Sequence, residues 1–263
     1  MKISEFIRFW HETVPHGWEN TCDHLHYGDP ETEISKIAVV FKITLHNLGL
    51  AAAAGANLII THEPLYPRYD GCIAQDETDP VALALHDRLK ETGMAVLRLH
   101  DHIHIHTFDF IHRGYIERLG LPIQFANPPY RLGFTQYGLA RAYTMREIAE
   151  LSARYVDMPH PRMAGDPDAP ITRVTLALGG TGSLAYDILS STDTELFITG
   201  ETDELSCAFY ANEAAALGQN KNLLVLGHCE SEQFGMDYLA KWIHEQLPFL
   251  ETQFFLTAPT YQY

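Results

Sequence analysis

Short runs of consecutive apolar residues alternate along this chain with stretches in which apolar positions recur every three or four residues. That is the rhythm of strands buried on both faces and separated by helices. In the first half, Ile37 to Ile43, Asn57 to Thr61 and Gly93 to Leu99 read as strands. Met1 to Glu12 reads as an amphipathic helix. Helices are expected again over the Ala-rich stretch Leu45 to Gly55, over Asp79 to Thr92, where Asp79 caps and Pro80 takes the first helical position, and from about Thr107 to Leu119. The rhythm weakens over residues 121 to 142, which hold Pro122, Asn127-Pro128-Pro129 and a strand candidate from Gly133 to Ala142.

It then resumes. Thr144 to Glu147 is a capping box that opens a helix to about Val156, and Pro159, Pro161, Gly165, Pro167 and Pro170 mark an exposed connection. Strands follow at Ile171 to Leu178, Glu195 to Thr199, Asn222 to Leu226 and around Glu251 to Leu256, with helices at Ser183 to Leu189, Asp203 to Leu217 and Ser231 to Gln246. The fold class is α/β, with two similar halves of mixed, largely parallel sheet. The expected division is 1–130, completed by 222–263, against 131–221.

Composition narrows the chemistry. The 263 residues carry 34 acidic and 18 basic side chains, a formal net charge of −16, so nucleic acid and anionic membrane surfaces are poor partners and cations are better ones. There are 15 His but only four widely spaced Cys (Cys22, Cys72, Cys207, Cys229), a donor stock suited to imidazole and carboxylate metal sites and not to paired-thiol ones. No apolar stretch has the length of a signal peptide or a membrane span, and the expected location is the cytoplasm.

Three polar clusters fall at the C-terminal ends of expected strands, where open α/β sheets place ligands. They are Thr61-His62-Glu63-Pro64; His100-Asp101-His102-Ile103-His104-Ile105-His106; and Gly227-His228-Cys229-Glu230-Ser231-Glu232. Were the second to continue as strand, its four His would share one face, where a cation holds imidazoles neutral. His228 and Glu232, four apart, share a face of any helix that begins at His228. Each cluster also has a plainer reading. His62 would bond a backbone carbonyl, the His run would be a solvated edge, and Glu201 a solvated carboxylate after its strand. The turn Gly179-Gly180-Thr181-Gly182 fits neither phosphate-binding glycine pattern and reads first as a tight strand-to-helix turn.

These motifs in this order resemble the family named after the NGG-one-interacting factor three, dinuclear-metal-centre proteins often labelled GTP cyclohydrolase I type 2. The resemblance runs over nearly the whole chain. It rests on Gly28-Asp29-Pro30, Thr61-His62-Glu63-Pro64, Gly179-Gly180-Thr181-Gly182, Thr199-Gly200-Glu201, and Gly227-His228 with Glu232. It also has departures: the family's second His of the pair is Glu63, His104 stands where a bridging Asp is usual, and the family's Asp-Asn-x-Gly-Leu becomes Asn20-Thr21-Cys22-Asp23-His24-Leu25.

The resemblance implies two halves facing a central metal-containing cleft and two divalent metal ions per chain (Zn, Fe or Mn). Their ligands would be His62, Glu63, His100, His104, His228 and Glu232, with Asp101 or His102 as alternatives to His104. It also implies a homohexamer. The expected function is hydrolysis of a small-molecule substrate by a metal-activated water. The alternatives are a metal-binding scaffold or regulatory protein without turnover and, third, a GTP cyclohydrolase-type nucleotide hydrolase.

Overall fold

The computed structural model describes residues 1–14, 20–66, 78–105, 109–126, 134–156, 161–182, 184–191 and 193–261. His106, Cys72, the expected helix start at Thr107 and the Asn127-Pro128-Pro129 turn lie outside them. The chain forms two compact units: Met1–Phe110 with Gly235–Ala258, and Ile111–Phe234 with Pro259–Tyr263.

The first unit is built on a five-stranded sheet. Its strands are β1 (Leu25–Tyr27), β2 (Ile37–Val40), β3 (Leu58–Thr61), β4 (Ala95–Arg98) and β11 (Thr252–Phe254), in the order β1-β4-β3-β2-β11. All pairings are parallel except β1 with β4. Every residue of β2, β3 and β4 is buried, which is why these strands read as continuous apolar runs without alternation. On one face, α2 (Leu45–Ala53) and α3 (Pro80–Thr92) contribute Leu48, Ala51, Leu85 and Leu89 to a core with Val40, Ile59 and Val96. At about 1.5–3 kcal/mol for each large aliphatic side chain buried, such a core carries much of the unit's stability. The helix α1 (Ile3–Thr13) buries Ile3, Phe6 and Trp10, and the Trp10 ring meets Trp242 edge-on at 5.8 Å. The α3 boundaries follow the expected rules: Asp79 Oδ1 accepts from Val81 N at 2.8 Å, and Gly93 ends the helix at φ 65°.

The second unit has a six-stranded sheet. Its strands are β5 (Ile123–Ala126), β6 (Thr135–Thr144), β7 (Arg162–Ala164), β8 (Pro170–Gly180), β9 (Leu196–Glu201) and β10 (Asn222–Val225), in the order β5-β6-β8-β9-β10-β7. Only β8, β9 and β10 run parallel to one another, so this sheet is mixed where the first is mostly parallel. Its helices are α6 (Met145–Val156), α7 (Leu184–Ser191) and α8 (Phe209–Ala216), and Leu189, Phe197, Ala211, Leu223 and Val225 share a buried cluster. The expected capping box holds: Thr144 N donates to Glu147 Oε2 at 2.7 Å and Glu147 N to Thr144 Oγ1 at 3.1 Å. The expected helix from Asp203 begins instead as a π-helical turn, Glu204–Ala208, in which Phe209 N reaches back to the Glu204 carbonyl.

The described residues also form α4 (Asp101–Ile105), α5 (Phe110–Leu119) and α9 (His228–Gln246). The α4 helix takes the place of the strand continuation that the His run left open. The strand β4 ends at Arg98, and His102 and His104 lie on a helix, not on one face of a continued strand.

Candidate metal centre

Parallel pairing brings the ends of β2, β3 and β4 level, with Val40 beside Thr61 and Thr61 beside Arg98. The residues just past those ends therefore meet. The His62 ring stacks on His100 with centroids 4.4 Å apart and meets His104 at 5.1 Å, and one ring nitrogen from each of the three lies within 4.8 Å of the others. Helical geometry in α4 turns His104 back toward His100, one turn away. His62 and Glu63 are buried, at 0% and 9% exposure, and also offer donor atoms to a common point.

The orientation of the three imidazoles is the informative feature. Nδ1 of His62 faces the Leu99 carbonyl at 3.2 Å, Nδ1 of His100 faces Asp101 Oδ1 at 3.0 Å, and Nδ1 of His104 faces Asp109 Oδ2 at 2.9 Å. In each, an oxygen acceptor assigns the proton to Nδ1 and leaves the lone pair on Nε2. Metal-binding imidazoles are held in this way, by a carbonyl or carboxylate behind the ring. The donor set fits a divalent cation of the Zn, Fe or Mn kind.

Asp101 and His102, the alternatives to His104, have partners of their own. Asp101 holds His100 and also accepts from Thr21 Oγ1 and Cys22 N, both at 3.0 Å on Oδ2. Burial pushes its carboxyl up, but the hydrogen bonds from His100, Cys22 and Thr21 outweigh that and hold it below the usual carboxylate range. His102 is fully buried, with Nδ1 2.6 Å from Asp23 Oδ2 and Nε2 3.1 Å from His11 Nδ1. Asp23 accepts in addition from the backbone N–H groups of His100, Asp101 and His102 at 2.7, 2.8 and 3.0 Å. Burial raises the Asp23 carboxyl; the bonds from His102, His100 and Asp101 together win and depress it. Asp23 thus caps α4 and fixes the turn carrying His100.

Neither Asp23 nor Asp109 was marked by sequence reasoning. Asp109 follows His104 by five residues, a local signal; Asp23 lies nearly eighty residues from its partners, and only its place in the altered Asn20–Leu25 motif drew attention to it. Cys22, half-buried beside Asp23 and Asp101, has its thiol pushed up to about 12, chiefly by burial.

In the second unit the parallel strands β8, β9 and β10 also end together, with Gly180 beside Glu201 and Val225 beside Thr199. There α9 begins, as His228 requires for a shared face with Glu232. His228 sits between two carboxylates: Nδ1 is 3.1 Å from Glu201 Oε1 and Nε2 is 3.1 Å from Glu232 Oε2. Glu232 is 3% exposed. A neutral imidazole donates to only one of these oxygens, so the arrangement wants either a second proton or a cation between Nε2 and Glu232. The Gly-rich turn explains itself here. A Cβ at Gly179, where φ is 75°, would run into the Glu232 carboxylate, and one at Gly200 would sit 2.6 Å from both the Gly179 carbonyl and Ser231 Oγ. Ser231 Oγ accepts from Gly179 N at 3.0 Å and donates to the His228 carbonyl at 2.9 Å, tying β8 to the first turn of α9.

The molecule is a mixed α/β protein of two units whose imidazoles and carboxylates gather at the C-terminal ends of parallel strands. The chain belongs to the Duf34/NIF3 (NGG1p interacting factor 3) family, whose model matches residues 1–260. It is 27% identical over 244 residues, 89% of this chain and 88% of the relative, to a Chlamydia pneumoniae protein named GTP cyclohydrolase 1 type 2 homolog. Among solved structures it is similar to a protein named ybgI, described as of unknown function (TM-score 0.80, 19% identity, 98% of this chain and 99% of that one). It is likewise similar to the Staphylococcus aureus hypothetical protein SA1388 (TM-score 0.78, 17% identity, 100% and 99%).

Proposed function

We propose that this chain is a divalent-metal protein that hydrolyses a small molecule, with His62, Glu63, His100 and His104 as donors in the first unit, His228 and Glu232 in the second, and two cations per chain. The observation that carries the metal reading is the common orientation of His62, His100 and His104, each with Nδ1 held by an oxygen and Nε2 left as the donor. Ordinary surface histidines have no reason to share that arrangement.

When bound, such cations acidify a water and polarise a substrate oxygen, which supplies the chemistry that a Ser or Cys nucleophile supplies elsewhere. The chain's own residues do the rest. Asp101, Asp109 and the Leu99 carbonyl keep the three rings neutral and aimed, Asp23 fixes the turn that carries His100, and Glu201 orients His228. Glu63 and Glu232, both buried, contribute the negative charge that balances the cations.

Elemental analysis of the purified chain tests the reading. The expected result is two equivalents of a transition metal, with His62→Ala and His228→Ala each losing metal while staying folded by circular dichroism. Undiminished metal in both variants overturns the ligand assignment. Turnover is tested separately, by hydrolysis of activated ester and phosphoester panels that depends on added Mn2+ or Zn2+. Full metal occupancy with no metal-dependent turnover would favour the scaffold reading.

A further inference from the structure

Beside the three-imidazole centre, the first unit gathers a second group of donors, which shares His100 and its partner Asp101 with that centre and adds the thiol of Cys22. Cys22 Sγ, a ring nitrogen of His100 and a carboxylate oxygen of Asp101 lie within 4.8 Å of one another, and all three residues are partly exposed. Asp101 is already fixed there by Thr21 Oγ1 and Cys22 N, and the His100 ring presents Nδ1 to Asp101 Oδ1 at 3.0 Å. That separation is close to the distance between neighbouring donors around one small divalent ion, whose bonds are about 2.0–2.3 Å. The side chains of His100 and Asp101 are 32% and 13% exposed, so an ion has a path in from solvent.

We propose that Cys22, His100 and Asp101 form a second, thiol-containing cation site, selective for a thiophilic divalent ion such as Zn2+ or Co2+ over Mg2+ or Mn2+. The softness of sulfur sets that preference, since hard cations favour all-oxygen surroundings. Loading replaces the Cys22 thiol proton by the ion and releases it to solvent. The His100 proton moves from Nδ1 to Nε2, because Nδ1 now binds. A neutral His100 therefore serves this site or the three-imidazole centre, not both, and the identity of the available metal decides which. The nearby carboxylates Asp23 and Asp101 that disfavour a bare thiolate favour a cation in its company.

Cobalt(II) chloride added to the 263-residue chain after dialysis against chelator is the test. The expected result is a thiolate-to-cobalt charge-transfer band in the near ultraviolet, absent from Cys22→Ser and weakened in Asp101→Asn. Absence of the band in the wild-type chain, or its persistence in Cys22→Ser, overturns the proposal. A variant-free measurement stands beside it: Zn2+, but not Mg2+, should slow alkylation of Cys22 followed by peptide mass spectrometry, and equal rates with and without Zn2+ overturn the proposal as well. The site shares His100 with the hydrolase reading but is read by a separate signal. His62→Ala should strip metal from the three-imidazole centre and leave the cobalt–thiolate band in place, so the two proposals fail on different measurements.

Discussion

At the scale of single residues, the buried carboxylate of Asp23 organises the candidate centre more than any ligand does. Its two oxygens take three backbone N–H groups and one imidazole from residues 100–102. Removing it orphans several buried donors at about 1–3 kcal/mol each, so Asp23→Ala should lower unfolding free energy by about 3 kcal/mol or more in urea titrations. The pH dependence follows from the depressed carboxyl. Its contribution is fully present above the ordinary carboxylate value near 4 and is lost as pH falls through the lower folded value, so the stability gap between wild type and Asp23→Asn should shrink below about pH 4. Asp109 is a different case: its carboxylate stands behind the His104 ring, 2.9 Å from Nδ1. Asp109→Ala should weaken metal affinity by about 10–100-fold with little change in fold, measured by competition with a chelating dye. The imidazole and carboxylate ligand candidates were legible in the sequence because they cluster at strand ends. Their supporting acids were not, since Asp23 and Asp109 acquire meaning only when the chain closes on itself.

At the scale of elements, fully buried strands are plain in the sequence, while the short strands β1 and β7 are not. Each residue of β3 and β4 is apolar or buried, giving an uninterrupted signal, whereas β1 and β7 have three residues each and went unseen. The alternation of His and Ile in the His run also fits period two, so the sequence leaves a strand continuation open; Asp23, distant in sequence, caps it into α4 instead. The Gly-rich strand end of β8 has a sharper lesson. Its glycines serve a carboxylate of the chain itself, Glu232, where a phosphate reading was conceivable. Gly179→Ala adds both positive-φ strain and a clash, and should displace Glu232. The expected outcome is a loss of about 1–3 kcal/mol in stability together with loss of metal from the His228–Glu232 pair, read by thermal melting and elemental analysis. Metal retained at wild-type level would show that Glu232 does not hold it.

At the scale of the molecule, the charge of −16 is the property most open to a simple test. Buried donors such as Glu63 and Glu232 repel like charge in the absence of cations, so a metal ion that binds only the folded chain should raise its thermal midpoint. At a hundredfold excess over the dissociation constant the gain is about 2.7 kcal/mol, and a chelator should reverse it. A melting temperature indifferent to Mn2+, Zn2+ and chelator would speak against any metal site in the native state. Among the described residues no helix is long and apolar enough to cross a membrane, which agrees with the lack of any such run in the sequence.

One pairing bears on how such a chain is made. The strand β11, residues 252–254, lies parallel against β2, residues 37–40, and completes the first sheet. During synthesis β2 must therefore wait with a bare hydrogen-bonding edge until the residues between it and β11 have left the ribosome. That waiting edge is an invitation to the wrong neighbour, and a stalled or truncated product is the species most prone to aggregate.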